Sequence, residues 1–378
     1  MTETRFPTPF GSYQLQRLPA RRRELLRAWD AADDYLLQQL AGLGTAASDA
    51  SILIMNDSFG ALATALHDYP LWSVSDSVLA QEATRNNYRL NALPGDKLHL
   101  RTSLEIPKDP PDVVLIKVPK TLALLEYQLL RLRPLLREKT RILVAGMMKA
   151  MPAAVWKLLE SLVGETMTFP GRKKAKLIQV RLDPDLATPA NLYPTVYTLE
   201  NSGYRIINHA NVFSREKLDI GTRFFLAQLP RFPDGAEIID LGCGNGVLAL
   251  MVLHNNPRVR VHCVDESFMA VASAQATLQT AFGNDVVASF HEAADLSAFS
   301  QDSIDVVLCN PPFHQQQVVG DQIAQGMFRD ARRVLRPQGE LWVVGNRHLG
   351  YHKTLKRLFG NLNVVASNRK FVILRATR

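Results

Sequence analysis

Three short stretches in the C-terminal half of the chain have residue types and spacings that can do chemistry. The first is Asp240-Leu241-Gly242-Cys243-Gly244-Asn245-Gly246. Glycines let a backbone turn sharply and come close to a ligand. A dinucleotide fingerprint spaces them G-x-G-x-x-G beneath a pyrophosphate. Here the spacing is G-x-G-x-G, with an acid two residues before the first glycine. Asp240 therefore suits a ligand with a positive amino group rather than a diphosphate. Taken alone, the glycine loop also reads as a tight turn. The second feature is Asp265, at the end of the next apolar run. A carboxylate there can accept both hydroxyls of a ribose. It can also cap the helix that follows, as can Ser267. Asp240, the glycines and Asp265 together outline a site for a nucleoside that carries an amino acid.

The third stretch, Asn310-Pro311-Pro312-Phe313-His314, is the most specific. Two consecutive prolines fix the backbone and remove two amide donors, which leaves nearby carbonyls free to accept. The Asn310 amide oxygen and the Pro311 carbonyl can then hold the two hydrogens of a planar amino group. Phe313 offers a flat face for stacking, worth about 1–3 kcal/mol per base. The plainer reading is that proline pairs end strands. His314 reads as a packing or hydrogen-bonding neighbour before it reads as a proton carrier.

The elements that must position these residues are written twice. In the second half, residues 237–240 form a short apolar run before the glycine loop, and 247–253 have a helical pattern. A strand over 259–265, a helix over 268–281 and buried strands over 304–309 and 341–344 follow, with a turn at Arg336-Pro337-Gln338-Gly339. Residues 363–366 and 371–376 read as a closing hairpin across Ser367-Asn368. The first half repeats the order with strands at 51–55, 73–76, 112–116 and 141–145 and a helix over 78–90. Such alternation predicts βαβ units and an α/β fold. The expectation is two tandem Rossmann-like domains, each a mostly parallel twisted sheet with helices on both faces. Their expected extents are 1–183 and 201–378. Pro184, Pro189 and Pro194 punctuate a linker over 184–200.

The copies diverge where chemistry would sit. The first has Asn56-Asp57-Ser58-Phe59-Gly60 for the glycine loop and Lys117-Val118-Pro119-Lys120 for the amide-proline run. Lysine in place of a neutral amide does not suit a cationic ligand. The first half is accordingly expected to be a non-catalytic copy that binds RNA or braces its partner.

At 378 residues the chain exceeds what one core usually fills. Its net charge of +8 is unevenly spread. Residues 331–378 hold eleven Lys or Arg against one acid, Glu340, and Arg172, Lys173, Lys174, Lys176 and Arg21 to Arg23 form further clusters. Such clusters suit a polyanion such as RNA or DNA, since each neutralised phosphate releases counterions. A solvated basic face is the alternative. No apolar run is long enough to span a membrane, and the N-terminus lacks the apolar core of a signal peptide. Cys243, Cys263 and Cys309 are too few for a disulfide framework or a zinc site, so no metal is expected and a reducing cytoplasm fits. The oligomeric state stays open, and a monomer is compatible.

The loop, the acid ending the second strand and Asn310-Pro311-Pro312-Phe313 together resemble class I S-adenosylmethionine methyltransferases that modify planar amino groups. Within a duplicated chain, the resemblance narrows to the bacterial ribosomal RNA guanine-N2 methyltransferases. It covers essentially the whole chain, including Asn211 to Thr222, which in that family leads into the cofactor domain and helps cover the site. Ile116 to Glu126, Val264 to Val271 and Asn346-Arg347-His348-Leu349 look like the large-subunit (23S rRNA) enzyme. The resemblance implies S-adenosylmethionine as cofactor, held by Asp240, Gly242, Gly244, Asn245, Gly246, Asp265, Glu266 and Asn310. Ala293 lies in a loosely matching adenine-side motif, Glu292 to Asp295. It further implies catalysis by Asn310, Pro311, Pro312 and Phe313, and RNA contacts from Phe313, His314, Arg172, Lys173 and Lys174. The product implied is N2-methylguanosine on protein-free 23S rRNA or an early assembly intermediate. The 16S rRNA sister enzyme, DNA amino-methyltransferases and protein glutamine-amide methyltransferases share the amino-group chemistry and remain alternatives. The glycine spacing disfavours a nicotinamide oxidoreductase.

Overall fold

The computed structural model describes residues 3–20, 24–44, 47, 49–312 and 317–378, with the backbone alone for 317–321. Phe313, His314 and the basic run Arg21 to Arg23 lie outside the described residues. The chain divides into two compact units, Met1–Leu192 and Tyr193–Arg378.

The first unit opens with a hairpin, β1 (Arg5–Thr8) and β2 (Gly11–Gln14), then α1 (Ala31–Gly42), β3 (Ile52–Met55) and α2 (Ala61–Ala65). It continues with β4 (Leu71–Ser75), α3 (Val78–Leu90), β5 (Leu98–Thr102), β6 (Val113–Lys117) and α4 (Leu122–Leu132). It closes with β7 (Arg141–Met147), α5 (Ala153–Leu162), β8 (Thr166–Arg172) and β9 (Ala175–Val180). The main sheet has the order β5-β4-β3-β6-β7-β9-β8, parallel except for the pairings of β9.

The second unit begins with a hairpin, β10 (Thr195–Thr198) and β11 (Arg205–Asn208), followed by α6 (Ile220–Leu226), β12 (Glu237–Leu241) and α7 (Val247–Asn255). Next come β13 (Arg260–Asp265), α8 (Phe268–Phe282), β14 (Ala288–Glu292), β15 (Ile304–Cys309) and α9 (Gln317–Val334). It ends with β16 (Leu335–Asn346), α10 (Tyr351–Phe359), β17 (Asn363–Ser367) and β18 (Phe371–Thr377). The sheet order is β14-β13-β12-β15-β16-β18-β17, the same permutation as in the first unit.

The central strands β12, β15 and the second half of β16 are buried on both faces, which is why they read as near-continuous apolar runs. Ile238, Cys263, Leu308, Trp342 and Val344 pack with residues of α6, α7 and α8. Their neighbours Ile239, Val264, Val307, Leu341 and Val343 pack with α9 and α10. The chain reverses its direction of strand addition between β12 and β15, and in open α/β sheets ligands bind at the carboxyl edge there.

Three sequence expectations change in detail. Residues 195–198, expected within a linker, form β10, and Leu199 beside it is buried in the second unit's core. The turn at Arg336 to Gly339 is an excursion inside β16: pairing with β15 jumps from Leu335 to Glu340, and Gln338 takes a φ of 68°. The closing hairpin pairs Ser367 with Val372, so its loop is Asn368 to Lys370 rather than Ser367-Asn368.

Candidate active site

The glycine loop joins β12 to α7. Gly246 heads α7 with φ of 76°, and a Cβ there would lie 2.8 Å from the Ala274 Cα of α8. This glycine is needed so that two helices can pack closely. Gly244 differs: its φ is 53° and nothing lies within 4 Å of where a Cβ would project. The loop is therefore tight against the fold at Gly246 and open at Gly244.

Asp265 ends β13 and ties this loop to the next strand. Its Oδ2 accepts from the Gly244 N–H at 3.0 Å, and its Oδ1 accepts from the Ser267 N–H at 3.0 Å. The cap of α8 is Ser267, whose side chain accepts from the Ala270 N–H. Ala293 is also beside Asp265, donating its N–H to the Asp265 carbonyl at 2.9 Å. Glu266 is exposed. Burial raises the Asp265 pKa, against the pull of the Ser267, Gly244 and Glu266 N–H groups.

Asp240 is 1% exposed, and its Oδ2 accepts from the Ala249 N–H at 3.2 Å. Its Oδ1 is buried without a partner among the described residues. Burial pushes its pKa up to about 7, with the Ala249 N–H opposing and the Asp265 charge adding to the rise. A desolvated carboxyl with an idle oxygen fits a cationic ligand. Asn245 has another function: its buried side chain donates to Asn208 Oδ1 at 2.9 Å and so fastens β11 to the loop.

Asn310 follows β15. Its Nδ2 donates to Thr222 Oγ1 at 3.0 Å. Thr222 Oγ1 in turn lies 3.3 Å from Asp219 Oδ2, which also accepts the Thr222 N–H at 2.9 Å as the cap of α6. An ionised carboxylate only accepts, so the Thr222 hydroxyl donates to Asp219 and accepts from Asn310. That chain fixes which way the Asn310 amide faces. Its Oδ1 is left buried with no partner among the described residues. Pro311 is buried and Pro312 exposed, and neither carries a backbone donor. The edge thus presents a fixed acceptor beside the open loop.

The three basic residues expected to contact RNA, Arg172, Lys173 and Lys174, lie in the first unit. Arg172 ends β8, and its guanidinium lies 5.0 Å from the centre of the Tyr35 ring. Lys173 and Lys174 turn the hairpin with φ of 46° and 65°. All three are exposed, and Lys173 Nζ lies 3.2 Å from Asp34.

The resemblance puts Asp219 and Thr222 in a segment that helps cover the site, but it gives neither residue a partner or a role. An Asp three residues before a Thr at a helix start signals a cap, but nothing local points to Asn310, 88 residues on.

The strand permutation, the loop at the sheet's switch point and the amide at the next strand's end define a class I methyltransferase fold, present twice. Residues 3–184 match the family described as RLMG N-terminal domain, and residues 203–375 match the Methyltransferase small domain. The "Ribosomal RNA large subunit methyltransferase G" of Ectopseudomonas mendocina (strain ymp) is 48% identical over 374 residues, 99% of each chain. That of Erwinia tasmaniensis is 48% identical over 367 residues, 96% of each. The Streptomyces avermitilis protein of the same name is 46% identical over 98% of each chain. This chain belongs to the ribosomal RNA large subunit methyltransferase G family. Among solved structures, the T. thermophilus 16S rRNA N2 G1207 methyltransferase (RsmC), in complex with AdoMet and guanosine, has a TM-score of 0.77 to it. That likeness covers 99% of this chain and 97% of the other at 20% identity, and it shows a shared fold.

Proposed function

We infer that this chain transfers a methyl group from S-adenosylmethionine to the exocyclic N2 amine of a guanine in 23S rRNA. The names of its full-length relatives support the RNA. The observation that carries the chemistry is the buried, partnerless Oδ1 of Asn310, aimed by Thr222 and Asp219.

When bound, S-adenosylmethionine supplies an electrophilic methyl group. Asp240 suits its cationic end, Gly242 and Gly244 let it approach the backbone, and Asp265 suits its ribose. Glu266, Ala293 and the backbones of Asn245 and Gly246 border the same edge. Guanine N2 is a weak nucleophile because its lone pair is delocalised into the ring. Asn310 Oδ1, with the Pro311 carbonyl, accepts the amine's hydrogens, orients the lone pair and stabilises the positive charge that develops on nitrogen. Phe313 and His314 follow directly in sequence, and stacking on Phe313 would hold a base extruded from its neighbours. Arg172, Lys173 and Lys174 are read as phosphate contacts, which position RNA without specifying sequence. The substrate is protein-free 23S rRNA or an early assembly intermediate, met in the cytoplasm. Among the described residues no helix is long and apolar enough to cross a membrane.

The test is transfer of label from S-adenosylmethionine to protein-free 23S rRNA, 16S rRNA and assembled subunits. Label on guanine N2 of protein-free 23S rRNA is expected. Asn310→Ala should lower turnover about 10²–10³-fold while binding of S-adenosylmethionine persists. Label confined to 16S rRNA would reassign the substrate, and label on no RNA would turn attention to protein amides.

A further inference from the structure

Among the described residues, Asn310 is one of two asparagines at this edge with an idle acceptor. The Oδ1 of Asn346 is also buried with no partner among them. Asn346 ends β16, the strand beside β15. The pairing of Cys309 with Val343 sets Asn310 level with Val344, and Asn346 lies two residues further. Strand spacing and rise place the two backbones about 8 Å apart. Side chains alternate along a strand, and Val344 packs on the face covered by α6. Asn346 shares that face, as does Phe371, its cross-strand partner. The bond to Thr222 in α6 puts Asn310 there too. Neighbouring strand ends therefore offer two desolvated carbonyl oxygens to one side of the sheet, although buried acceptors are nearly always satisfied.

One amide acceptor cannot tell one planar amine from another, because adenine, cytosine and glutamine all present one. Guanine differs in having a second donor, N1–H, next to its amine. In adenine and cytosine the ring nitrogen beside the amine is a bare acceptor. We propose that Asn346 Oδ1 accepts the N1–H of the guanine whose amine Asn310 holds, so that the pair reads the base's Watson–Crick edge. This makes Asn346 a specificity-determining residue, and it rests on the guanine-N2 reading above.

The experiment uses a short synthetic RNA carrying the methylated guanine and a twin with 2-aminopurine at that position. 2-Aminopurine keeps the amine but has a bare N1. The wild-type chain should prefer guanine by about 10²-fold or more in kcat/KM, as a site with an unpaired buried acceptor rejects the mismatched analogue. Asn346→Ala should lower transfer to guanine by a similar factor and leave transfer to 2-aminopurine unchanged, so the preference collapses. Asn346→Asp keeps an acceptor of the same shape and should keep the preference; it also serves if the alanine variant fails to fold. The affinity for S-adenosylmethionine should not move in either variant. An unaltered preference in Asn346→Ala, or an equal loss on both RNAs, overturns the proposal. A wild-type chain that forms no N2-methylguanine overturns the reading beneath it, which the same assay records separately.

Discussion

The two units carry the same sheet and opposite solutions at its carboxyl edge. Ile54 pairs with Leu115 in the first as Asp240 pairs with Leu308 in the second, so Lys117 holds the place of Asn310. Lys117 Nζ contacts Asp33 at 2.7 Å and Asp30 at 2.9 Å. Asp30 caps α1 as Asp219 caps α6, and Asp33 stands three residues into its helix as Thr222 does. Burial pulls the Lys117 pKa down, but the two carboxylates outweigh it and hold the ammonium above the ordinary lysine value. At the place of Cys243, the first unit has Asp57, whose carboxylate accepts the N–H groups of Ala61, Leu62 and Ala63. The first edge has filled itself with its own ions, and the second keeps acceptors unpaired. The two edges differ in internal satisfaction while their sheets share one strand order.

That contrast can be broken on either side. The largest effect is expected from Lys117→Ala, which strands buried carboxylates and should cost about 3–5 kcal/mol, read as a lowered melting temperature. Joining Lys117→Asn with Asp33→Thr copies the second unit's pairing and should recover most of that loss. On the other side, Thr222→Val frees the Asn310 amide to turn over. Turnover should fall about 10–100-fold, as when outer partners of functional groups are removed, with S-adenosylmethionine affinity within twofold and Thr222→Ser near wild type. A Thr222→Val variant with a wild-type rate would detach α6 from the chemistry.

The smallest effect sharpens the comparison through Asp240, which has an apolar counterpart, Ile54. Its pKa near 7 in the free protein means that a cation must displace a proton below that pH. Affinity for S-adenosylmethionine should weaken by up to about tenfold per pH unit below 7 and be flat in Asp240→Asn. Between the ordinary carboxyl pKa and about 7 the folded chain binds the extra proton, so its own stability falls as pH rises through that window. Titration calorimetry of the wild-type chain and of Asp240→Asn between about pH 5.5 and 8 checks the pH dependence of affinity.

Much of this was legible in the sequence because it is local. The glycine loop, Asp265 and Asn310 each sit at the end of an apolar run, and both copies repeat the order of runs. The hairpin β10–β11 was not, since Thr195 to Thr198 lies among prolines and half of it stays exposed. Nor was the link from Asn310 to Thr222, which only the folded sheet brings together. In the first unit Asp76, the acid that closes the run 73–76, falls one residue past the place of Asp265, which Ser75 holds. Strand pairing fixes such a register, and the sequence pattern alone does not.

Gly60 and Gly246 give the duplication a further use. Both begin a helix in the left-handed region, at φ of 74° and 76°, and in both a Cβ would strike the next helix, at Thr84 or Ala274. Of the three loop glycines the first unit has only this one. A duplicate with a differently built edge is an internal control: what both copies share answers to their common architecture. By that measure the last glycine of such a loop belongs to the fold, and the earlier two are what set the second unit's loop apart.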